Sequence, residues 1–348
     1  MDSRNEPDSL LSFALLLAAF CVIRGAQTGR WRWVMAFALL IGIGFNVKML
    51  VAFVPLPAFL LYYTLATRAL IRQVATRTAL AIGVLLAVSL SWMSVVAITS
   101  PDSRPYVGST RDNSIWTLAF AYNGLDRFTS FIGPRQRRPI PSAQTAGPIQ
   151  RGGPLAPPGY SVPPGGGQPV RPPPISQDAQ DTGLLGLLSN SLAGQLGWLL
   201  PLGLFTLAAV VVVILPEQVY RHPASFFALL RESPSASQSI LWGGWLATAV
   251  LVFGLANATT THPYYLVGVA VPLAAVMGIG LTVLWSTFRH GGAASWLLPG
   301  VLIVGGVYQA YGSSGLVGDW ATALVLGASL PAVLVMAVAI WRRLTAEP

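Results

Sequence analysis

The sequence predicts an all-α polytopic transmembrane protein of about nine spans, and three observations lead to that class. Hydrophobic residues make up 53% of the 348 and charged residues only 9%, where soluble domains carry roughly 25% charged residues; mean hydropathy is +0.61. Apolar runs recur along the chain at close to the length of a helix that crosses about 30 Å of hydrocarbon. Arginines gather on every second connection between those runs, as expected of a chain threaded back and forth through a bilayer. A net charge of +9 would point to nucleic acid on a soluble domain. Placed at span ends it orients the chain instead, and no nucleic-acid partner is expected.

The expected spans are 9–23, 33–45, 50–66, 78–98, 196–215, 240–255, 264–285, 296–311 and 320–341. The first follows a charged opening, Asp2 to Asp8, and stops at Arg24. Arg30 and Arg32 precede the second, and only Asn46-Val47-Lys48 separates its end from the third. Arg68, Arg72 and Arg77 lie between the third and fourth. Arg221 and Arg231 lie between the fifth and sixth, Arg289 follows the seventh, and Arg342 and Arg343 follow the ninth. Eleven arginines thus fall on one side, while the short connections opposite carry Arg4 and Lys48. The positive-inside rule places the N-terminus outside and the C-terminus in the cytoplasm. The single cysteine, Cys21, lies inside an apolar run, so no disulfide can form within the chain and no thiolate metal cluster can be built. No cofactor is expected and no metal site is indicated.

Three regions follow: membrane helices in 1–99, an extracytoplasmic loop in 100–183, and membrane helices again in 184–348. Within the loop, residues 134–174 contain 13 prolines and 7 glycines, a composition that cannot form a packed core and reads as a solvated, disordered tether. The part before it is richer in aromatics. Ser114 to Leu125 reads as an interfacial helix, capped by Asn113 or Ser114 and ended by Gly124, with Trp116, Phe120 and Tyr122 at head-group level.

Ionisable groups at span ends are costly to place there and so are candidates for function. Asp8 heads the first span with Arg4 four residues before it, a spacing that allows pairing on one helical turn; alternatively it marks the membrane boundary. Lys48 sits in the tightest outer turn, where its ammonium can reach a lipid phosphate or simply snorkel to the interface. His262, Tyr264 and Tyr265 open the seventh span and can hydrogen-bond a phosphate or sugar, or form an aromatic belt with a capping histidine. All of these fall on the outer face. The chain contains no phosphate-binding glycine loop, GxSxG elbow or HExxH sequence.

Six short blocks carry a resemblance. They are Arg4 to Asp8, Gly44 to Met49, Ser89 to Trp92, Ser103 to Gly108, Tyr122 to Leu125 and His262 to Val267. Through them the chain resembles the family 39 bacterial glycosyltransferases of the GT-C fold, relatives of protein O-mannosyltransferases and of the lipid A aminoarabinose transferase. The resemblance implies an inner-membrane enzyme of a bacterium that transfers a sugar from a polyprenyl-phosphate donor to an acceptor on the outer face, with inversion and without a nucleotide-sugar site. It implies that Asp8 lines the site and that Lys48 approaches the lipid phosphate. Arg104, Tyr106, His262, Tyr264 and Tyr265 would line the donor cavity, with membrane lipids as further partners. Family members carry their catalytic acid in a first outer loop that has no counterpart here, so the resemblance also implies that about three N-terminal spans are lacking and leaves the catalytic residue unassigned. A transporter or flippase, or a non-catalytic membrane subunit presenting the Pro/Gly-rich loop, are the alternatives. The transporter would show broken helices and sites at mid-membrane.

Overall fold

The computed structural model describes residues 7–108, 110, 112–124, 199–214, 223–255, 267–313 and 318–345. Among these, all regular structure is helical, and the described part of each of the nine apolar segments is helical, the third with a break. Five helices are long and apolar enough to cross a membrane: Asp8–Thr28, Trp31–Phe53, Ile71–Ile98, Pro234–Gly254 and Gly268–His290. The other four expected spans coincide with helices whose described apolar stretches are shorter.

Helix α1 (Asp8–Thr28) starts directly after Pro7 and carries Asp8 in its first turn, where a carboxylate complements the exposed N–H groups and the positive end of the helix dipole. It ends at Gly29, whose φ of 64° is the left-handed geometry of a glycine C-cap and whose N–H returns to the Gly25 carbonyl at 3.0 Å. Two residues later α2 (Trp31–Lys48) begins, so the two helices are antiparallel neighbours. Next, α2 packs against α4 (Ile71–Ile98) at a glycine: a Cβ on Gly42 would stand 2.7 Å from Val88 Cβ. Small residues let helix backbones approach this closely inside a membrane. Asn46 fastens the same contact, donating from Nδ2 to the Gly42 carbonyl at 3.0 Å and to the Val88 carbonyl of α4 at 2.8 Å.

The third expected span is interrupted. Past Lys48 the chain turns into a 3-10 segment, Met49–Phe53, and only then forms α3 (Leu56–Ala66). With 11 residues, α3 is about 16 Å long, too short to cross about 30 Å unaided. Pro55 and Pro57 lack the N–H groups a continuous helix would use. The break begins at the end of the bundle, one residue past Lys48.

After the loop come α5 (Leu200–Ile214), α6 (Pro223–Glu232), α7 (Pro234–Leu255), α8 (Val267–His290), α9 (Leu297–Ser313) and α10 (Gly318–Thr345). Helix α7 lies antiparallel on α3, with Gly244 over Ala58 and the Trp245 ring edge-on to Phe59 at 5.3 Å. These residues join Phe37, Ile41 and Tyr63 in the main core. A second apolar cluster, with Leu202, Leu284, Phe288, Leu298 and Ile340, binds α5, α8, α9 and α10. Sequence reading treated the stretch holding α6 as a bare connection; it folds because Leu230 can be buried against the bundle while Arg231 and Glu232 stay exposed.

The stretch expected as an interfacial helix does form a short helix, wound differently. Ser114 caps it, its Oγ accepting the Thr117 N–H at 3.3 Å, and after Ile115 and Trp116 the turn widens to a π-helix over Thr117–Tyr122. Ala119 and Ile115 face inward, while Trp116 and Phe120 stack at 6.0 Å on the exposed side. The Pro/Gly-rich tract lies outside the described residues.

Candidate functional site

Threading brings the start of α1, the end of α2, the 3-10 segment, the end of α7 and the start of α8 to one end of the bundle. There the Lys48 ammonium and the Asp8 carboxylate, 40 positions apart in sequence, form an ion pair through Asp8 Oδ1. The side chains are only 14% and 8% exposed. Asp8 Oδ2 is also buried, with no hydrogen-bond partner. Taking a carboxylate out of water is costly unless its oxygens find partners, so a buried carboxylate oxygen left without one is unusual.

The backbone at this pair is strained as well. Met49, the residue after Lys48, has φ 44° and ψ −132°, a region ordinarily left to glycine, and such outliers cluster where a side chain must be aimed. Asn123 at the end of the π-helix reaches this turn, donating from Nδ2 to Met49 Sδ at 3.2 Å and to the Leu118 carbonyl at 3.0 Å. The interfacial helix is thereby latched to the Lys48 turn.

Beside Asp8 opens a small cleft with a cavity volume of about 10 Å³, room for about one water. Asp8 and Ser12 are its polar contributors, and Leu11, Leu15, Val51, Val54, Pro55, Trp245 and Phe253 supply apolar walls. The interruption of the third span makes this space possible, because Val51, Val54 and Pro55 stand where a continuous helix would present a closed flank.

The other expected site residues fare differently. The Arg104 guanidinium is engaged at the end of α4: Nη2 donates to the Ala97 and Thr99 carbonyls, both at 3.0 Å, and Nε to Thr99 at 3.3 Å. It supplies the donors that the last helical turn lacks. Tyr106 is 84% exposed and is not part of the cleft beside Asp8. Arg4, His262, Tyr264 and Tyr265 lie outside the described residues; the helices flanking the last three, α7 and α8, place Phe253 and Gly268 at the cleft. Sequence reading weighed Asp8 and Lys48 separately and paired Asp8 with Arg4; a contact across 40 residues leaves no periodic signal. It also missed Asp112, which accepts from Thr117 Oγ1 at 2.7 Å and from the Ser114 N–H at 3.2 Å. The Thr117 hydrogen bond chiefly holds its carboxyl below the usual carboxylate range. Among the described residues no three His, Cys, Asp or Glu side chains come together to hold a metal.

A family model described as dolichyl-phosphate-mannose-protein mannosyltransferase matches residues 1–92, the segment that contains Asp8, Lys48 and the interrupted span. Over those residues the chain is similar to this mannosyltransferase family. Two Bacillus subtilis (strain 168) proteins extend the likeness beyond those residues. "Putative mannosyltransferase YycA" is 30% identical across 88% of this chain and 49% of the relative. "Putative mannosyltransferase YkcB" is 31% identical across 86% of this chain and 47% of the relative. The chain therefore spans about half the length of the curated relatives it matches. No solved structure matches it. With five helices long and apolar enough to cross a membrane, it is a multi-pass membrane protein.

Proposed function

We propose that this mannosyltransferase-like chain forms part of an enzyme that moves a mannosyl-type sugar from a polyprenyl-phosphate donor to a hydroxyl-bearing acceptor at the outer face of a bacterial plasma membrane. The observation that carries the reading is the buried Lys48–Asp8 pair at the end of the bundle where the third span is interrupted. In this reading Lys48 faces the donor phosphate. As the bond from the sugar's anomeric carbon to the phosphate oxygen breaks, negative charge grows on the leaving phosphate, and a fixed ammonium in a water-poor site stabilises that charge more than it stabilises the intact donor. The acceptor oxygen forms the new bond to the anomeric carbon and loses its proton, and polyprenyl phosphate departs. Arg104 contributes by holding the loop at the end of α4, and Asp8 by lining the site.

The test uses membranes containing the full-length gene product and a radiolabelled polyprenyl-phosphate mannose. Lys48→Ala should lower transfer at least about tenfold, a loss of about 1.4 kcal/mol or more of transition-state stabilisation. Equal transfer by the parent and Lys48→Ala would remove Lys48 from the site.

A further inference from the structure

We propose that Asn123 is a positioning residue for Lys48, pinning the turn that carries the ammonium to the loop that follows α4; this rests on the reading of Lys48 as the cation that faces the donor phosphate. Lys48 is the last residue of α2, and the chain beyond it passes through Met49 at φ 44° and ψ −132°. A residue with a Cβ stays in that region only where its surroundings hold it there. Asn123, 74 positions away, reaches the turn by donating from Nδ2 to Met49 Sδ at 3.2 Å. A thioether is a weak acceptor, and the contact takes its strength from what stands behind Asn123. The Leu118 carbonyl accepts both the Asn123 backbone N–H and its Nδ2, each at 3.0 Å. The backbone bond spans five residues and closes the π-helix, a winding that recurs at functional sites, so backbone and side chain of Asn123 are fixed at one point. The loop itself is seated: Val107, Ile115 and Ala119 are buried in the same core as Phe45 and Ala52, which flank Lys48 on either side in sequence. A Cβ on Gly124 would stand 3.2 Å from Leu50 Cδ1, so the end of the π-helix lies against both residues that follow Lys48. Without the amide, Met49 is free to relax toward an ordinary conformation. The peptide joining it to Lys48 turns with it, and the ammonium is re-aimed.

The test pairs hydrogen exchange with sugar transfer from radiolabelled polyprenyl-phosphate mannose, both on the monodisperse folded fraction of the full-length gene product in nanodiscs. Asn123→Ala should speed exchange of the amides of residues 49–53 while leaving those of residues 15–19 in α1 unchanged. It should lower the transfer turnover about 3- to 10-fold, with the donor KM altered less than about twofold. In a Lys48→Ala background the same substitution should cost less than about twofold more, because a residue that acts through Lys48 then has nothing left to position. A role in stability alone would multiply the two losses instead. Met49→Leu keeps the apolar volume and removes the sulfur, and it should change exchange and turnover in the same directions. Unchanged exchange at 49–53 in both variants, or losses that multiply, overturns the positioning role; a Lys48→Ala defect seen alongside either leaves the proposed function standing. Faster exchange at 49–53 together with parental transfer by Lys48→Ala overturns both, since the turn is then pinned to no purpose in the reaction.

Discussion

The two ends of the helical bundle handle charge in opposite ways. At one end Arg24 and Arg72 lie near the ends of α1 and α4 and Arg30 and Arg68 between helices, all four exposed, and the tight α1–α2 turn is closed by Gly29 in the conformation glycine adopts freely. At the other end Lys48 is drawn inward against Asp8, the turn beyond it is forced through Met49 at φ 44°, and the following span is broken. Exposed arginines at span ends cost little and set orientation. A buried pair, a strained turn and an interrupted helix are all destabilising, and a fold retains such features together where a ligand needs a shaped, charged recess.

Breaking the pair is the most severe way to probe this contrast. Lys48→Met leaves a buried carboxylate without its counter-charge and should lower stability by about 3 kcal/mol, read as an earlier denaturation midpoint in detergent; Arg72→Met at the opposite end should shift it by no more than about 0.5 kcal/mol. A midpoint equally insensitive to both would mean the pair is solvated and the ends do not differ. Next in size, Gly42→Val would drive its side chain into Val88 and should cost about 2 kcal/mol by overpacking, moving Asn46 away from the Val88 carbonyl. Because α2 carries Lys48 on its last turn, this variant should also weaken prenyl-phosphate binding, whereas Gly83→Ala, which meets nothing within 4 Å, should leave both unchanged. The smallest effect expected is that of Arg104→Ala, about 1 kcal/mol for uncapping α4, seen as faster hydrogen exchange near Thr99 with donor affinity retained. A loss of affinity as large as that of Lys48→Met would place Arg104 in the site instead of behind it.

Much of the architecture was legible without coordinates. Apart from the broken third run, the described parts of the apolar runs are helical because hydrocarbon thickness and the need to satisfy backbone polar groups leave few alternatives. A cap at Asn113 or Ser114 was readable, and the structure chose Ser114, whose hydroxyl accepts the Thr117 N–H. The break in the third span was less visible. Its apolar composition is continuous, and only Pro55 and Pro57 hinted that the helix would start late. For Arg104, both readings used the same donors: a guanidinium near aromatic loop residues can face a ligand or a helix end, and local geometry chose the carbonyls of Ala97 and Thr99.

Composition and the spacing of arginines by themselves determined that this chain is helical, membrane-embedded and threaded with its basic connections on one side, because transfer of charge and of unpaired backbone into hydrocarbon is prohibitive wherever it occurs in the sequence. They also marked Asp8 and Lys48 as groups worth explaining. That these two meet, that one oxygen of Asp8 is left over, and that a broken helix opens an apolar cleft beside them was decided only by packing. Such contacts depend on how α1 and α4 seat on α2 at Gly44 and Gly42, and α7 on α3 at Gly244, and the free energy that selects that seating belongs to no single segment of the chain.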